Sequence, residues 1–355
     1  MYNINPKLIN ILIVEDSPVV RELLIYILNS SPGINVMGTV DSGEKALKFV
    51  KKYKPDLITM DVNMPGIDGF ETTRRIMETQ PVPIIIVSSI MTPESADALF
   101  RTMEAGALCI VEKPPGLENS AYKQKSKKLV EIVKLMSEVK VVRRRSLGVL
   151  KKPEQQLSLS GSSQGKKYPN IKLVAIGVST GGPPAIQTIL SLLPKNIGVP
   201  ILIVQHIARG FIQGMADWLG PKTGFPVHIP EHGDILLPGH VYLAPDNYHM
   251  GVSSNNTVLL SKEKPENGIR PSVSFLLRSV SKIYGKNAAG VLLTGMGRDG
   301  AKELLLMKEN KAVTLVQDKK SCVIFGMPDA AIKMGAAAYV LPPDKIAQKL
   351  IQLIL

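Results

Sequence analysis

The sequence predicts two α/β domains, each built on a doubly wound parallel sheet. Residues 8–133 alternate five short apolar runs with five longer helical stretches, and parallel strands need crossover helices between them. Residues 139–167 lose that alternation, running from Val-Lys-Val-Val-Arg-Arg-Arg into a stretch rich in Ser, Gly, Gln and Lys. Such a composition cannot bury enough apolar surface to fold. A second alternation begins at Asn170. The domains are therefore expected at 8–127 and 169–355, with a helix end and basic flexible linker over 128–168.

In the first domain the apolar runs 10–14, 35–39, 57–60, 82–87 and 108–111 read as strands. The stretches 19–28, 42–52, 70–77, 93–103 and 123–137 read as helices. In the second, 172–176 is a short buried strand and 183–193 a helix, with Pro183 and Pro184 suited to its first turn. Further strands are expected at 201–205, 240–243, 290–294 and 312–317, and a helix from Ala301. Residues 257–260 read as a hairpin strand after Asn255-Asn256. No internal repeat is evident.

Composition narrows the function classes. The net charge is +13, but residues 123–152 hold eleven Lys and Arg against Glu131 and Glu138, a net +9. The basicity is thus local and reads as a solvated helix end and linker; the sharper reading is docking to an acidic partner or an anionic membrane surface. Aromatic content is 5% with a single Trp, which supplies no stacking platform for nucleic acid. Cys109 and Cys322 both lie in apolar runs, against a disulfide framework or a zinc cluster. The first residues lack a signal-peptide pattern, and no apolar run reaches the roughly 18 residues of a membrane span. The expectation is a cytoplasmic protein.

Functional groups of doubly wound sheets gather at the carboxyl ends of strands. In the first domain those ends carry Glu15-Asp16, Asp61, Ser88-Ser89 and Lys113-Pro114. Clustered acids repel unless a cation sits among them, so Mg2+ is implied. Asp61 can then attack a phosphoryl donor, while Lys113 and the Ser88 hydroxyl contact the phosphoryl oxygens.

In the second domain Ser179 stands in Gly177-Val178-Ser179-Thr180-Gly181-Gly182, between a strand and a helix. Glycines on both sides fit a nucleophile elbow, and the helix start offers backbone N–H groups to an oxyanion. A serine nucleophile needs a base and an orienting acid. His206 follows the strand 201–205 directly, which favours it; His249 is its rival. His228, His232 and His240 fall in a Pro- and Gly-rich region and read as loop residues. Asp299 follows the strand 290–294, giving the chain order Ser, His, Asp. Gly295 to Gly300 also spells G-x-G-x-x-G, with Asp318 placed as a ribose-binding acid. A dinucleotide enzyme is therefore a competing reading, although little chain follows the motif. A non-enzymatic binding module competes too, but docking would not require a Ser, His, Asp set at three strand ends.

Val14-Glu15-Asp16-Ser17-Pro18, Met60-Asp61-Val62-Asn63-Met64-Pro65-Gly66-Ile67-Asp68-Gly69 and Glu112-Lys113-Pro114 resemble a response-regulator receiver domain, with Glu15 where many receivers have Asp. The resemblance implies a flavodoxin-like receiver phosphorylated on Asp61 by a chemotaxis histidine kinase. It implies Mg2+ held by Glu15, Asp16, Asp61 and the backbone of Asn63.

Ile176 to Pro183, Val204-Gln205-His206, Leu243-Ala244-Pro245-Asp246, Arg270-Pro271-Ser272-Val273, Leu293 to Gly300 and Gly326-Met327-Pro328 resemble the catalytic domain of CheB-type protein-glutamate methylesterases. That resemblance implies an α/β hydrolytic domain acting on glutamate γ-methyl esters of methylated chemotaxis receptors, with glutamine deamidation as a second reaction. The family's triad falls on Ser179, His206 and Asp299, and its oxyanion donors on the backbone of Thr180 and Met296. No cofactor is implied at the esterase site, and no nucleic acid as partner.

Overall fold

The computed structural model describes residues 8–89, 93–139, 141 and 170–355. The predicted linker therefore lies, over 142–168, outside the described residues.

The first domain alternates β1 (Ile9–Val14), α1 (Pro18–Asn29), β2 (Ile34–Val40), α2 (Gly43–Lys52), β3 (Leu57–Met60), α3 (Gly69–Thr79), β4 (Ile84–Ser88), α4 (Pro93–Ala105), β5 (Cys109–Glu112) and α5 (Tyr122–Met136). All pairings are parallel, in the order β2-β1-β3-β4-β5. Strands β3 and β4 are buried throughout, as expected of a sheet covered on both faces. The Ser17 and Ser42 hydroxyls and the Asp68 carboxylate accept backbone N–H groups at the starts of α1, α2 and α3. Each such cap contributes about 1 kcal/mol.

The second domain runs β6 (Leu173–Val178), α6 (Gly182–Leu192), β7 (Ile201–Gln205), α7 (Ile212–Thr223), β8 (Val227–His228), β9 (Val241–Leu243), β10 (His249–Val252), β11 (Val258–Ser261), α8 (Val273–Tyr284), β12 (Ala288–Leu292), α9 (Ala301–Glu309), β13 (Val313–Gln317), α10 (Met327–Lys333), β14 (Tyr339–Leu341) and α11 (Pro343–Ile354). Seven strands form a parallel sheet in the order β14-β13-β12-β6-β7-β9-β8. Strand β6, first in sequence, sits between β12 and β7. The chain therefore reverses its winding there, and a crevice opens at the carboxyl ends of these three strands.

Some elements differ from expectation. Strand β12 ends at Leu292, two residues earlier than predicted, because the Thr294 N–H donates to the Gln317 side chain (2.8 Å). The hairpin strand β11 pairs antiparallel with β10, with Asn256 left-handed at the turn (φ 57°). Helix α7 carries no clear signature in the sequence because Gly214, Gly220 and Pro221 interrupt its pattern.

The two domains are in contact. Phe100 of α4 stacks on Trp218 of α7, centroids 5.1 Å apart. Beside them Glu104 accepts from Gln187 (3.1 Å) and Lys222 (3.0 Å). Phe211, Ile207 and Ala208, in the loop after β7, join the first domain's core around Leu99 and Met103. Val323 and Ile324, in the loop after β13, join the cluster of Leu129 and Val133 on α5. The first domain thus lies against loops at the carboxyl edge of the second sheet.

Candidate functional site

The first site lies where β1, β3 and β5 end together. Glu15, Asp16 and Asp61 bring carboxylate oxygens within 4.8 Å of one another. Lys113 Nζ lies 2.7 Å from Asp61 Oδ2. It is also 2.9 Å from Glu15 Oε2 and donates to Oε1 at 3.1 Å. Asp61 Oδ1 accepts the Val62 N–H at 2.7 Å and the Asn63 N–H at 3.4 Å. Ser88 is buried on the neighbouring strand, where its carbonyl accepts the Lys113 N–H (2.8 Å). Asn63 is exposed two residues beyond Asp61.

Charge balance at this site is incomplete. Burial pushes the Glu15 carboxyl up, and the neighbouring Asp61 charge adds to that against the pull of Lys113. Burial also disfavours charge on Lys113, but hydrogen bonds to Asp61 and Glu15 outweigh it and hold the ammonium above its ordinary range. Among the described residues Lys113 is the cation paired with both carboxylates, 2.9 Å from Glu15 Oε2 and 2.7 Å from Asp61 Oδ2. Two buried carboxylates and the half-buried Asp16 share that one ammonium, and such a cluster of hard oxygens fits Mg2+. Arg21, not anticipated from sequence, donates to the carbonyls of Glu15 (2.7 Å) and Asp16 (3.4 Å). It pins the acidic turn, and its only sequence signal is its place in the first turns of α1.

The second site lies at the crevice of β12, β6 and β7. Val178 pairs with Gln205 at the ends of β6 and β7. The next residues, Ser179 and His206, are therefore neighbours, and the His206 N–H donates to the Val178 carbonyl (2.9 Å). Gln205 Nε2 donates to the carbonyls of both Ser179 and His206, each at 2.9 Å. This tie was not anticipated, although Gln205 adjoins His206 in sequence. It also requires Gly182, where an added Cβ would sit 2.1 Å from Gln205 Oε1.

The loop after β12 closes the other side. The Ser179 N–H donates to the Thr294 carbonyl (3.0 Å). Thr294 Oγ1 donates to the Thr180 carbonyl at 2.9 Å. A Cβ on Gly295 would sit 2.6 Å from Ser179 Cβ, so only glycine lets this loop approach so closely. Met296 follows, about half exposed.

Asp299 is 5% exposed. Its carboxylate accepts the Val273 N–H (2.6 Å), the Ser274 N–H (3.1 Å) and the Ser272 hydroxyl (3.0 Å). It thereby caps the start of α8, whose dipole favours negative charge there. Its Oδ2 lies 3.0 Å from His206 Nε2, off the line of a straight N–H···O bond. Burial alone would raise the Asp299 carboxyl, but His206, Ser274 and the Val273 N–H together lower it to about 2. Ser179, His206 and Asp299 thus converge. Among the described residues no hydrogen bond joins Ser179 Oγ to the His206 ring.

The rival readings fare differently. His249 is fully buried, with Nδ1 3.2 Å from the Ser272 N–H and Nε2 3.2 Å from the Lys264 carbonyl. Both ring nitrogens are engaged away from Ser179. The G-x-G-x-x-G turn is tied to α8 instead: Asp299 accepts the Val273 and Ser274 N–H groups, and the Gly300 N–H donates to Ser274 Oγ (3.0 Å). Asp318 accepts from the Ser321 N–H (3.2 Å) and closes a turn of its own.

A cleft of about 360 Å3 opens beside this site. Met296, Gly297, Ile324 and Phe325 form one wall, and Leu135, Glu138 and Val139 of the first domain the other. Among the described residues no helix is long and apolar enough to cross a membrane.

Residues 174–350 match the family model described as CheB methylesterase, and residues 11–120 match that of the response regulator receiver domain. A protein-glutamate methylesterase/protein-glutamine glutaminase of Syntrophus aciditrophicus (strain SB) is 52% identical over 346 residues, 98% of either chain. A relative of the same name from Nitrosospira multiformis is 48% identical over 353 residues, 98% of this chain and 97% of the relative. The crystal structure of the Thermotoga maritima CheB methylesterase catalytic domain is 41% identical, with a TM-score of 0.50, over 52% of this chain and 98% of that one. With a parallel-sheet receiver in front and a Ser179 crevice behind it, the chain belongs to the CheB methylesterase family in its receiver-bearing form.

Proposed function

We propose that the chain is a phosphorylation-regulated hydrolase that removes methyl groups from glutamate γ-methyl esters of chemotaxis receptors, releasing methanol, and that it deamidates receptor glutamines at the same site. It acts in the cytoplasm on methylated receptors and takes its phosphoryl group from a chemotaxis histidine kinase. The observation that carries the esterase reading is the convergence of His206 on Asp299, 3.0 Å apart, at the strand end beside Ser179.

With Nε2 facing Asp299, the His206 nitrogen available to the nucleophile is Nδ1. That nitrogen takes the Ser179 proton as Oγ attacks the ester carbonyl, and returns it to the departing methoxide. Water then hydrolyses the glutamyl-serine ester by the reverse path. Asp299, ionised down to about pH 2, fixes the ring tautomer and stabilises the imidazolium. The backbone N–H groups of Thr180 and Met296 hold the oxyanion. With glutamine as substrate the leaving group is ammonia.

In the receiver, Glu15, Asp16, Asp61 and the Asn63 backbone would hold Mg2+, which supplies charge screening for an incoming phosphoryl group. Asp61 accepts that group. Lys113 pairs with one of its oxygens, and the Ser88 hydroxyl donates to another.

The receiver restrains the esterase by lying against loops that flank Ser179. The Phe100–Trp218 stack adds about 0.5–1.5 kcal/mol beyond the apolar area it buries. Phosphorylation of Asp61 shifts the population away from this contact. Methanol release from methylated receptor membranes tests the whole reading; activity surviving in Ser179→Ala would remove the esterase assignment.

A further inference from the structure

We propose that His249 is a positioning residue for Asp299, acting through Ser272; the inference rests on the Ser179–His206–Asp299 reading above. His249 is the one histidine that is fully buried, and that reaction does not use it. Its ring stacks on Phe275 with centroids 4.9 Å apart, nearly parallel at 15°. The Ser272 N–H can only donate, so His249 Nδ1, 3.2 Å away, is the acceptor. The ring proton then sits on Nε2 and donates to the Lys264 carbonyl at 3.2 Å. His249 is held as one neutral tautomer between two backbone groups.

Ser272 is where this hold matters. It occupies the cap position of α8, yet its hydroxyl makes no capping bond to its own helix. It donates instead to Asp299 Oδ1 at 3.0 Å. The next two N–H groups, of Val273 and Ser274, also go to Asp299, at 2.6 Å and 3.1 Å. Three donors that orient the carboxylate therefore hang on one short stretch of backbone. His249 fixes the first amide of that stretch. On the far side the Ser274 hydroxyl donates to Glu303 at 2.6 Å and accepts the Gly300 N–H at 3.0 Å, which anchors the other end. A carboxylate aimed this way faces His206 Nε2 without needing a straight hydrogen bond from it. Misplacement of a catalytic group by about 1 Å costs on the order of 100-fold in rate.

The test compares His249→Leu, His249→Asn and Ser272→Ala in the full chain, reading methanol release against pH together with melting temperature. Leucine keeps the volume and loses both polar contacts. Asparagine presents Oδ1 where Nδ1 stood and can accept the Ser272 N–H. His249→Leu is expected to lower kcat roughly 10- to 100-fold with KM little changed. It is also expected to move the acid limb of the kcat/KM profile to lower pH, because a misaimed Asp299 stabilises the His206 imidazolium less. His249→Asn recovers most of both. Ser272→Ala moves the same limb in the same direction, which keeps the proposal testable if His249→Leu fails to fold. An unmoved acid limb in Ser272→Ala, or in a folded His249→Leu, overturns the inference, as does an asparagine variant no better than leucine. Ser179→Ala run alongside separates the two levels. If it still releases methanol the underlying reading fails; if it is inactive while His249→Leu behaves as wild type, only this inference fails.

Discussion

Asp299 Oδ2 lies 3.0 Å from His206 Nε2 while the same carboxylate caps the first turn of α8. One side chain thus meets a candidate base and a helix terminus at once. Its negative charge is supported from both directions, which is why a buried aspartate stays ionised to about pH 2.

Asp299→Asn keeps the volume and loses that charge. The expected loss in kcat is about 1,000- to 10,000-fold, because the His206 tautomer and imidazolium lose their partner. Steady-state methanol release checks it.

The same carboxyl gives a pH signature in stability. Its folded value, about 2, lies below its ordinary 3.8. Its contribution, about 2 kcal/mol, is therefore present above pH 4 and lost as pH falls toward 2. Urea unfolding should find wild type and Asp299→Asn converging in stability over that window, and diverging to a plateau above it.

Gly182→Ala drives a Cβ to 2.1 Å from Gln205 Oε1. Gln205 must then release the carbonyls of Ser179 and His206. A stability loss of about 1–3 kcal/mol is expected, with a larger fractional loss of activity than of folded protein. Calorimetry and turnover on the same preparation measure both.

Much of this was legible in the sequence because strand ends are legible. Glu15, Asp61 and Lys113 each follow a short apolar run, and so do His206 and Asp299. Contacts from loops far along the chain were not. Ser272 is 27 residues from Asp299, and His249 is 23 from Ser272; no periodicity announces either contact. The Phe100–Trp218 stack joins two domains, and each ring reads in sequence as an ordinary core residue. Strand β12 was misplaced by two residues because a side chain, Gln317, took over a backbone role at Thr294.

Lys113→Ala leaves Glu15 and Asp61 without their shared ammonium. Breaking such a buried pair costs about 3 kcal/mol. Added Mg2+ should raise the melting temperature more in this variant than in wild type, since the cation then replaces the missing charge.

Across the domain contact, Glu104→Lys opposes Lys222 in place of pairing with it. A partly exposed pair is worth up to about 1 kcal/mol, so activity without phosphodonor should rise by up to about fivefold. Lys222→Glu in the same chain should bring it back. Trp218, the single tryptophan, reports the contact by fluorescence and should shift in the single variant but not in the pair.

The most direct measurement is methanol release from methylated receptor membranes, with and without a small phosphodonor and Mg2+, for wild type, Ser179→Ala and Asp61→Ala. The account predicts release by wild type that rises with phosphodonor, none from Ser179→Ala, and no stimulation of Asp61→Ala. Release from Ser179→Ala, or stimulation that survives in Asp61→Ala, would contradict it.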